Sequence, residues 1–165
     1  SSQVNGDPNK KMNPPLRNKE DVEAVIAGLK DGTLDVISTD HAPHHEREKS
    51  LSFADAPNGV VGLETSFQLG YTRLVKTGIL TPLALINKMS TKPAEILGTE
   101  RGRIQVGQAA DLAIIDVEKQ YVISPSDFLS KGKNSPFIGM NVYGSIEYTI
   151  IGGKIVWKNT KSDQE

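Results

Sequence analysis

The stretch LDVISTDHAPHH, residues 34 to 45, joins a short apolar run directly to a polar cluster. Leu34 to Ser38 is β-branched at its centre and is bounded by Gly32-Thr33 and Asp40, which predicts a buried strand. In α/β proteins, ligands gather at the carboxyl ends of such strands. The stretch therefore predicts an α/β fold with a functional site immediately after this strand.

A helix is predicted just before the strand. Asn18 is placed to cap it, and Val22, Val25 and Leu29 repeat at helical spacing. Gly32 stands where the helix is expected to stop. Helix followed by strand is the order that an α/β protein requires.

The chain after the strand divides into a long loop and three more predicted helices. Residues 41–61 form the loop, and loops of that length are usually functional or disordered. The helices are expected over residues 62–77, from Thr81-Pro82 onward, and from Ser90 or Thr91 to near Gly98. In the first of these, Leu63, Phe67, Tyr71 and Leu74 are expected to share one face.

A small β region is predicted at the end of the chain. Short β runs occur at 111–116, at 120–123 and in EYTIIGGKIVWK, where Gly152-Gly153 is a hairpin signal. The change from mainly helical patterns to short β runs predicts a domain boundary near residue 100, with one domain over 1–100 and a C-terminal β domain over 101–165.

Composition excludes several classes of function. The net charge of −1 gives no field that would recruit nucleic acid, and no run of about 18 apolar residues predicts a membrane span. The chain has no cysteine, which excludes disulfides and thiolate metal sites. Cytoplasmic location is the default expectation. Because the chain opens on a polar segment without methionine, it is expected to be a piece of a longer protein.

All three histidines of the chain stand within five positions, directly behind Asp40. A single histidine is usually a surface residue, but a carboxylate with clustered imidazoles is a set used for metal ligation and proton transfer. His41 and His44 lie in a loop with Pro43 between them, so no helix sets their spacing. A catalytic zinc generally needs about three protein ligands, so the cluster predicts a partial site that needs ligands from elsewhere.

Five motifs, in order along the chain, resemble the C-terminal half of the bacterial dihydroorotases, the binuclear-metal class of the amidohydrolase superfamily. They are KMNPPLR (11–17), STDHAPH (38–44) with a lysine five residues on, APNGVVGLET (56–65), GRIQVGQAADLAIID (102–116) and SPFIGMNVYG (135–144). The resemblance implies the last units of a (β/α)8 TIM-type barrel over 1–100 and a small β-sandwich-like domain over 101–165.

The resemblance also implies a role for each matching residue. Asp40 resembles the aspartate that is both a zinc ligand and the catalytic acid/base. Asn13 resembles the asparagine that contacts the pyrimidine ring, and His44 the histidine that binds the substrate carboxylate. Asn58 and Gly59 resemble a pair that meets the substrate through the backbone. No role carries over to His41, and His45 is expected to be a solvated loop residue.

The implied activity is reversible hydrolysis of the cyclic amide of dihydroorotate to N-carbamoyl-L-aspartate in pyrimidine biosynthesis, with two zinc ions in a complete active site. The family's other metal ligands lie upstream of the matching motifs and have no counterpart here. This chain alone is therefore expected to hold no zinc pair and to be inactive.

Two alternatives remain open. One is a cyclic amidase that resembles hydantoinase or allantoinase; the other is a non-catalytic subunit that partners a transcarbamoylase. Asp40, Asn13 and His44 favour the enzyme. A small-molecule substrate is expected, without nucleic acid or membrane, and assembly is expected either as a homodimer or with aspartate transcarbamoylase.

Overall fold

The computed structural model describes residues 5–160, which contain both helices and strands, as predicted. The chain divides into two compact units. The first comprises the described residues of Ser1–Leu34, Ser38–Ser66 and Val122–Asn141, and the second those of Asp35–Ile37, Phe67–Tyr121 and Val142–Glu165. In this part of the chain, every helix falls short of the length and apolar character that a membrane crossing requires.

Residues 5–160 contain five α-helices and three strands. The helices are α1 (Lys19–Asp31), α2 (Glu46–Lys49), α3 (Ser66–Gly70), α4 (Pro82–Ile86) and α5 (Lys92–Ile96), and the strands are β1 (Leu112–Val122), β2 (Asn141–Ile151) and β3 (Lys154–Lys158). Short 3₁₀ turns occur at Pro8–Lys10 and Pro125–Asp127. A π-helical turn, Tyr71–Val75, follows α3, and another, Asn87–Thr91, joins α4 to α5.

The first unit contains the helix predicted with the clearest start and stop. The Asn18 side chain accepts a hydrogen bond from the Asp21 N–H, and Gly32 ends α1 with a left-handed backbone. The prediction of this helix is confirmed. Two acidic residues in its first turn add a favourable interaction with the helix dipole.

The prediction of a strand at Leu34–Ser38 is wrong. These residues lie outside any helix or strand, and Leu34 is 39% exposed. A strand requires a hydrogen-bonded neighbour, and among residues 5–160 the three strands pair only with one another. One backbone bond, from the Ile37 N–H to the Lys88 carbonyl, holds the middle of this segment.

In the second unit, helices pack on one another and on the sheet through close contacts at glycine. A Cβ at Gly70 would lie 3.1 Å from Leu85, a completely buried residue of α4. A Cβ at Gly144 of β2 would lie 2.8 Å from the Phe67 ring, so glycine there lets α3 approach β2. The Thr72 hydroxyl also accepts a bond from the Tyr143 N–H at 2.8 Å.

The helix predicted over 62–77 begins at Ser66, four residues late, and Leu63 is 65% exposed instead of sharing its apolar face. The helix predicted from Thr81-Pro82 is confirmed, with the Thr81 hydroxyl as its cap. The helix predicted from Ser90 or Thr91 is present as α5, which continues from α4 through a π-turn.

The sheet has the order β1-β2-β3. The two short runs predicted at 111–116 and 120–123 form one strand, β1, and the hairpin predicted at Gly152-Gly153 is confirmed. β2 and β3 are antiparallel, with Ile151 opposite Lys154 and an irregularity between Thr149 and Ile150. The domain boundary near residue 100 stays a prediction.

Candidate functional site

All five predicted site residues lie in loops of the first unit. Asp40 and His44 lie between α1 and α2; we call residues 38–45 the histidine loop. Asn58 and Gly59 lie after α2, in residues 54–62, which we call the glycine loop. Asn13 follows the first 3₁₀ turn. The histidine loop and the glycine loop are bonded to each other by the Ala42 N–H and the Val60 carbonyl at 2.9 Å.

Asp40 has an unusual backbone. Its φ of +43° lies in the left-handed region, which costs energy for residues with a side chain and which aspartate tolerates better than most. Both neighbours of Asp40 lie against the glycine loop. Thr39 packs closely on Gly62, where a Cβ would lie only 3.0 Å from the Thr39 carbonyl oxygen, and the His41 ring bonds to the backbone of the same loop. Asp40 itself is exposed, so a constrained backbone presents its carboxylate to solvent.

The bonds of His41 determine its tautomer. Its Nδ1 accepts hydrogen bonds from the Gly62 N–H at 3.0 Å and the Leu63 N–H at 3.3 Å. A nitrogen that accepts from N–H groups carries no proton, so the Nε2 atom carries the proton of the neutral ring. His41 therefore uses its Nδ1 to hold the glycine loop, and that atom is not free to bind a metal.

His44 connects two of the predicted substrate residues. Its Nε2 lies 2.9 Å from the Asn58 carbonyl, which can only accept, so Nε2 is the donor. Its Nδ1 lies 3.7 Å from the Glu48 carboxylate. The histidine ring is thus already bonded to the glycine loop, and its one well-aligned donor is occupied.

His45 caps a helix. Its Nδ1 accepts from the Arg47 N–H, while the Glu48 carboxylate accepts from the His45 N–H, which together form a capping box at the start of α2. The side chain is exposed, as predicted, but its bonds give it a local structural purpose.

Gly59 stands where a side chain would collide. Its φ is +127°, and a Cβ would lie 2.6 Å from the Ala42 Cβ and 3.1 Å from the His44 Nε2. Its N–H donates to the Lys11 carbonyl at 2.9 Å. Glycine is needed here for close approach to the histidine loop, and the N–H that was expected to meet the substrate is bonded to the segment that carries Asn13.

Asp40 and Asn13 are less connected than the other three predicted residues. Within residues 5–160, no hydrogen bond joins the Asp40 carboxylate to Asn13, His44, Asn58 or Gly59. Asn13 is exposed. The nearby residue Lys11 connects this segment to the glycine loop, because its carbonyl accepts from the Gly59 N–H and its ammonium donates to the Ala54 carbonyl at 2.8 Å. The structure therefore joins His44, Asn58 and Gly59 directly.

Lys49 is a functional candidate that the sequence pattern did not assign. It is 6% exposed, and its ammonium donates to the carbonyls of Pro57 and Gly59 at 3.0 and 3.1 Å. Burial lowers the pKa of Lys49 below its usual value, the charge of Lys11 lowers it further, and Asp7 partly offsets both. Its place as the lysine after STDHAPH was the one available signal.

Asn134 is the second such candidate. It is 4% exposed, and its side chain bonds to both the histidine loop and the glycine loop. No sequence signal points to it, because a single asparagine between Lys133 and Ser135 in a turn-rich segment matches no catalytic spacing.

The described residues do not by themselves fit a two-zinc centre. In the described part of the chain, no group of three or more histidine, aspartate or glutamate side chains could hold a metal ion. Asp40 offers one carboxylate, while His41 and His44 each have one ring nitrogen engaged by backbone groups. A zinc site generally needs about three protein ligands.

Comparison with known proteins gives a consistent set of relatives. Residues 9–156 match the model of the amidohydrolase family. Proteins named dihydroorotase from Bacillus cytotoxicus and from Bacillus cereus strain AH820 are 54% and 55% identical over 152 residues. The match covers 92% of this chain and 36% of each relative, so the chain spans about a third of their length.

Solved structures of hydantoinases share the fold. L-hydantoinase from Arthrobacter aurescens matches with a TM-score of 0.85 and 35% identity, over 92% of this chain and 35% of the other. D-hydantoinase from Thermus sp. matches with a TM-score of 0.84 and 28% identity, over 92% of this chain and 34% of the other. With the family match over most of its length, the chain belongs to the amidohydrolase family.

Proposed function

We propose that the protein carrying this chain is a dihydroorotase, which opens the cyclic amide of dihydroorotate reversibly to N-carbamoyl-L-aspartate in pyrimidine biosynthesis. The observation that carries the proposal is the identity of about 55% to proteins of that name over 92% of the chain. The hydantoinase structures are less similar in sequence, at 35% and 28%.

The proposal extends to the architecture of the whole enzyme. Residues 1–100 would form the last units of a (β/α)8 barrel, and residues 101–165 a small β-sandwich-like domain. The TM-score of 0.85 to a hydantoinase supports a shared fold, and the β1-β2-β3 sheet supports a β-rich C-terminal part. The segment at Leu34–Ser38 would then become a strand when it pairs with neighbours from outside this chain.

Asp40 would move the proton. In hydrolysis, a water oxygen bonds to the ring carbonyl carbon and the carbon–nitrogen bond of the ring breaks. Asp40 would take the proton from the attacking water and deliver it to the leaving nitrogen, which would otherwise depart as an unstable anion. Its exposed carboxylate on a constrained backbone supports this role, since a proton carrier must reach both atoms.

The remaining site residues would bind substrate. Asn13 would contact the ring, His44 the carboxylate, and Asn58 and Gly59 the ring through their backbone. The His44 Nε2 and the Gly59 N–H already have protein partners, at 2.9 Å each. Substrate binding through these donors would therefore replace two bonds within the protein, and the exchange would couple binding to a small shift of the glycine loop.

The complete enzyme would hold two zinc ions, with Asp40 as one ligand and the others supplied from outside this chain. The 165-residue chain alone is expected to turn over nothing and to hold no zinc pair. Metal analysis of the purified chain tests this directly, and two tightly held zinc ions per chain would contradict it. Cytoplasmic location, and assembly as a homodimer or with aspartate transcarbamoylase, stay predictions.

The test of function uses a hybrid enzyme, in which this chain replaces the matching segment of the Bacillus cereus relative. Hydrolysis of dihydroorotate, hydantoin and allantoin is then compared at equal enzyme concentration. We expect dihydroorotate to be the preferred substrate. A preference for hydantoin or allantoin would favour a cyclic amidase, the alternative supported by the hydantoinase folds, and inactivity towards all three would favour the non-catalytic subunit.

A further inference from the structure

Asn134 uses its whole side chain to join the two loops of the candidate site. Its Oδ1 accepts from the His44 N–H at 2.9 Å. Its Nδ2 donates to the Ala42 carbonyl at 3.0 Å and to the Gly59 carbonyl at 3.1 Å. An asparagine amide offers one acceptor oxygen and two donor hydrogens, so both hydrogens are used and the oxygen has a partner.

The backbone around Asn134 lies against the same two loops. Its carbonyl accepts from the Val61 N–H at 2.9 Å. A Cβ at Gly132 would lie 2.8 Å from the Pro43 Cβ and 2.9 Å from the His44 nitrogen, so the chain touches the histidine loop there too. The side chain of Asn134 thus bonds to partners 75 to 92 positions away in sequence.

Aspartate and alanine cannot make the same set of bonds. Aspartate has nearly the same shape but lacks both donors, and its carboxylate would face the carbonyls of Ala42 and Gly59. Alanine would leave those carbonyls and the His44 N–H without this partner in a site that is 4% exposed, which is costly for buried polar groups. The loops are also joined by the main-chain bond between Ala42 and Val60 and by the rings of His41 and His44, but Asn134 alone among these bonds to both loops from a third segment.

We propose that Asn134 is a positioning residue, which sets the distance between the histidine loop with Asp40 and the glycine loop with Asn58. The proposal rests on the proposed function, because these loops matter for catalysis only if they face the substrate. It adds a residue that lies outside the motifs of the site. Asn134 acts on the loops and does not itself touch the substrate. It can still affect the rate strongly, because a small misplacement of reacting groups can cost about a hundredfold in rate.

The experiment introduces Asn134→Asp and Asn134→Ala into the hybrid enzyme. The control is Asn141→Asp, which adds the same charge at an exposed position at the start of β2. We expect both Asn134 variants to raise the KM for dihydroorotate about tenfold and to lower kcat/KM about a hundredfold. The control is expected to keep the KM and kcat of the parent hybrid within about twofold.

The KM is informative because it does not depend on how much of the enzyme is folded. A variant that only lost stability would show lower kcat per total protein with the same KM, and that result would overturn the proposal. Hydrogen exchange provides the second readout. The His44 and Gly59 peptides are expected to exchange at least tenfold faster in the Asn134 variants, while the α1 peptide is unchanged.

The two proposals fail in different ways. If the parent hybrid does not hydrolyse dihydroorotate, the proposed function fails. Unchanged exchange at His44 and Gly59 overturns the positioning proposal, whether or not the hybrid is active. If Asn134→Ala does not fold, Asn134→Asp and a third variant, Gly132→Ala, which would press the chain against Pro43, test the same coupling. An unchanged KM in both would contradict it.

Discussion

The loops around Gly59 and the sheet with its packed helices are held in different ways. In the first unit, buried side chains donate to backbone carbonyls of the loops, as Lys49 and Asn134 both do at Gly59. In the second unit, regular backbone pairing and short-range helix packing hold the structure together, and the backbone hydrogen bonds repeat along β2 and β3. A single substitution should therefore do more harm in the loops, where one side chain such as Asn134 makes several bonds that are lost together.

The two units can be compared through two glycines with positive φ. Gly59 faces Ala42 and His44, whereas Gly107, with φ +87°, has open space where a Cβ would lie. We expect Gly59→Ala to cost about 3 kcal/mol, since it adds an overlap to the backbone strain. Gly107→Ala should cost about 1 kcal/mol from strain alone. Urea unfolding of the two variants measures both, and equal losses would show that the loops tolerate displacement.

Replacing Lys49 should have the next largest effect on the free energy of unfolding. Lys49→Met removes the donor to the Pro57 carbonyl, and we expect a loss of about 1–2 kcal/mol near neutral pH. Because burial lowers the pKa of Lys49 in the folded state, the unfolded state binds more protons between that lowered pKa and the usual 10.5. The stability of the parent relative to Lys49→Met should therefore rise with pH across that window. A flat difference would mean that the ammonium is not desolvated.

Lys76 in the second unit should give the smallest effect and the opposite pH dependence. Its ammonium donates to the Glu118 carboxylate at 2.9 Å and lies 4.3 Å from the centre of the Tyr143 ring. The hydrogen bond to Glu118 raises the pKa of Lys76 above 10.5. The advantage of the parent over Lys76→Met should be complete below pH 10.5 and lost as the pH passes the raised pKa. Glu118→Gln should remove most of that dependence, and a pH trend that survives it would point to another partner.

The same contrast explains what the sequence could predict. Helix α1, the start of α4 and the β2-β3 hairpin depend on residues close together in sequence, such as Asn18, Thr81 and Gly152, and their patterns were recognisable. The strand predicted at Leu34–Ser38 is absent because a strand depends on neighbours as well as on its own residues. Its apolar pattern could not reveal whether those neighbours were present.

The candidate site follows the same rule. Asp40, His44 and Gly59 stood in motifs, so their importance was apparent from the sequence. Asn134 did not, because its bonds to Ala42 and Gly59 span more than 70 positions and leave no periodic trace. Long-range bonds from one side chain to several backbone groups become visible only when the loops are folded.

The central claim concerns the carboxylate of Asp40, which stands on a left-handed backbone between two anchored neighbours. The most direct test is the rate of dihydroorotate hydrolysis by the hybrid enzyme with Asp40→Asn, at a matched zinc content. We expect kcat to fall about a thousandfold, within the range for loss of a general acid/base. A kcat equal to that of the parent hybrid would contradict the assignment of proton transfer to Asp40.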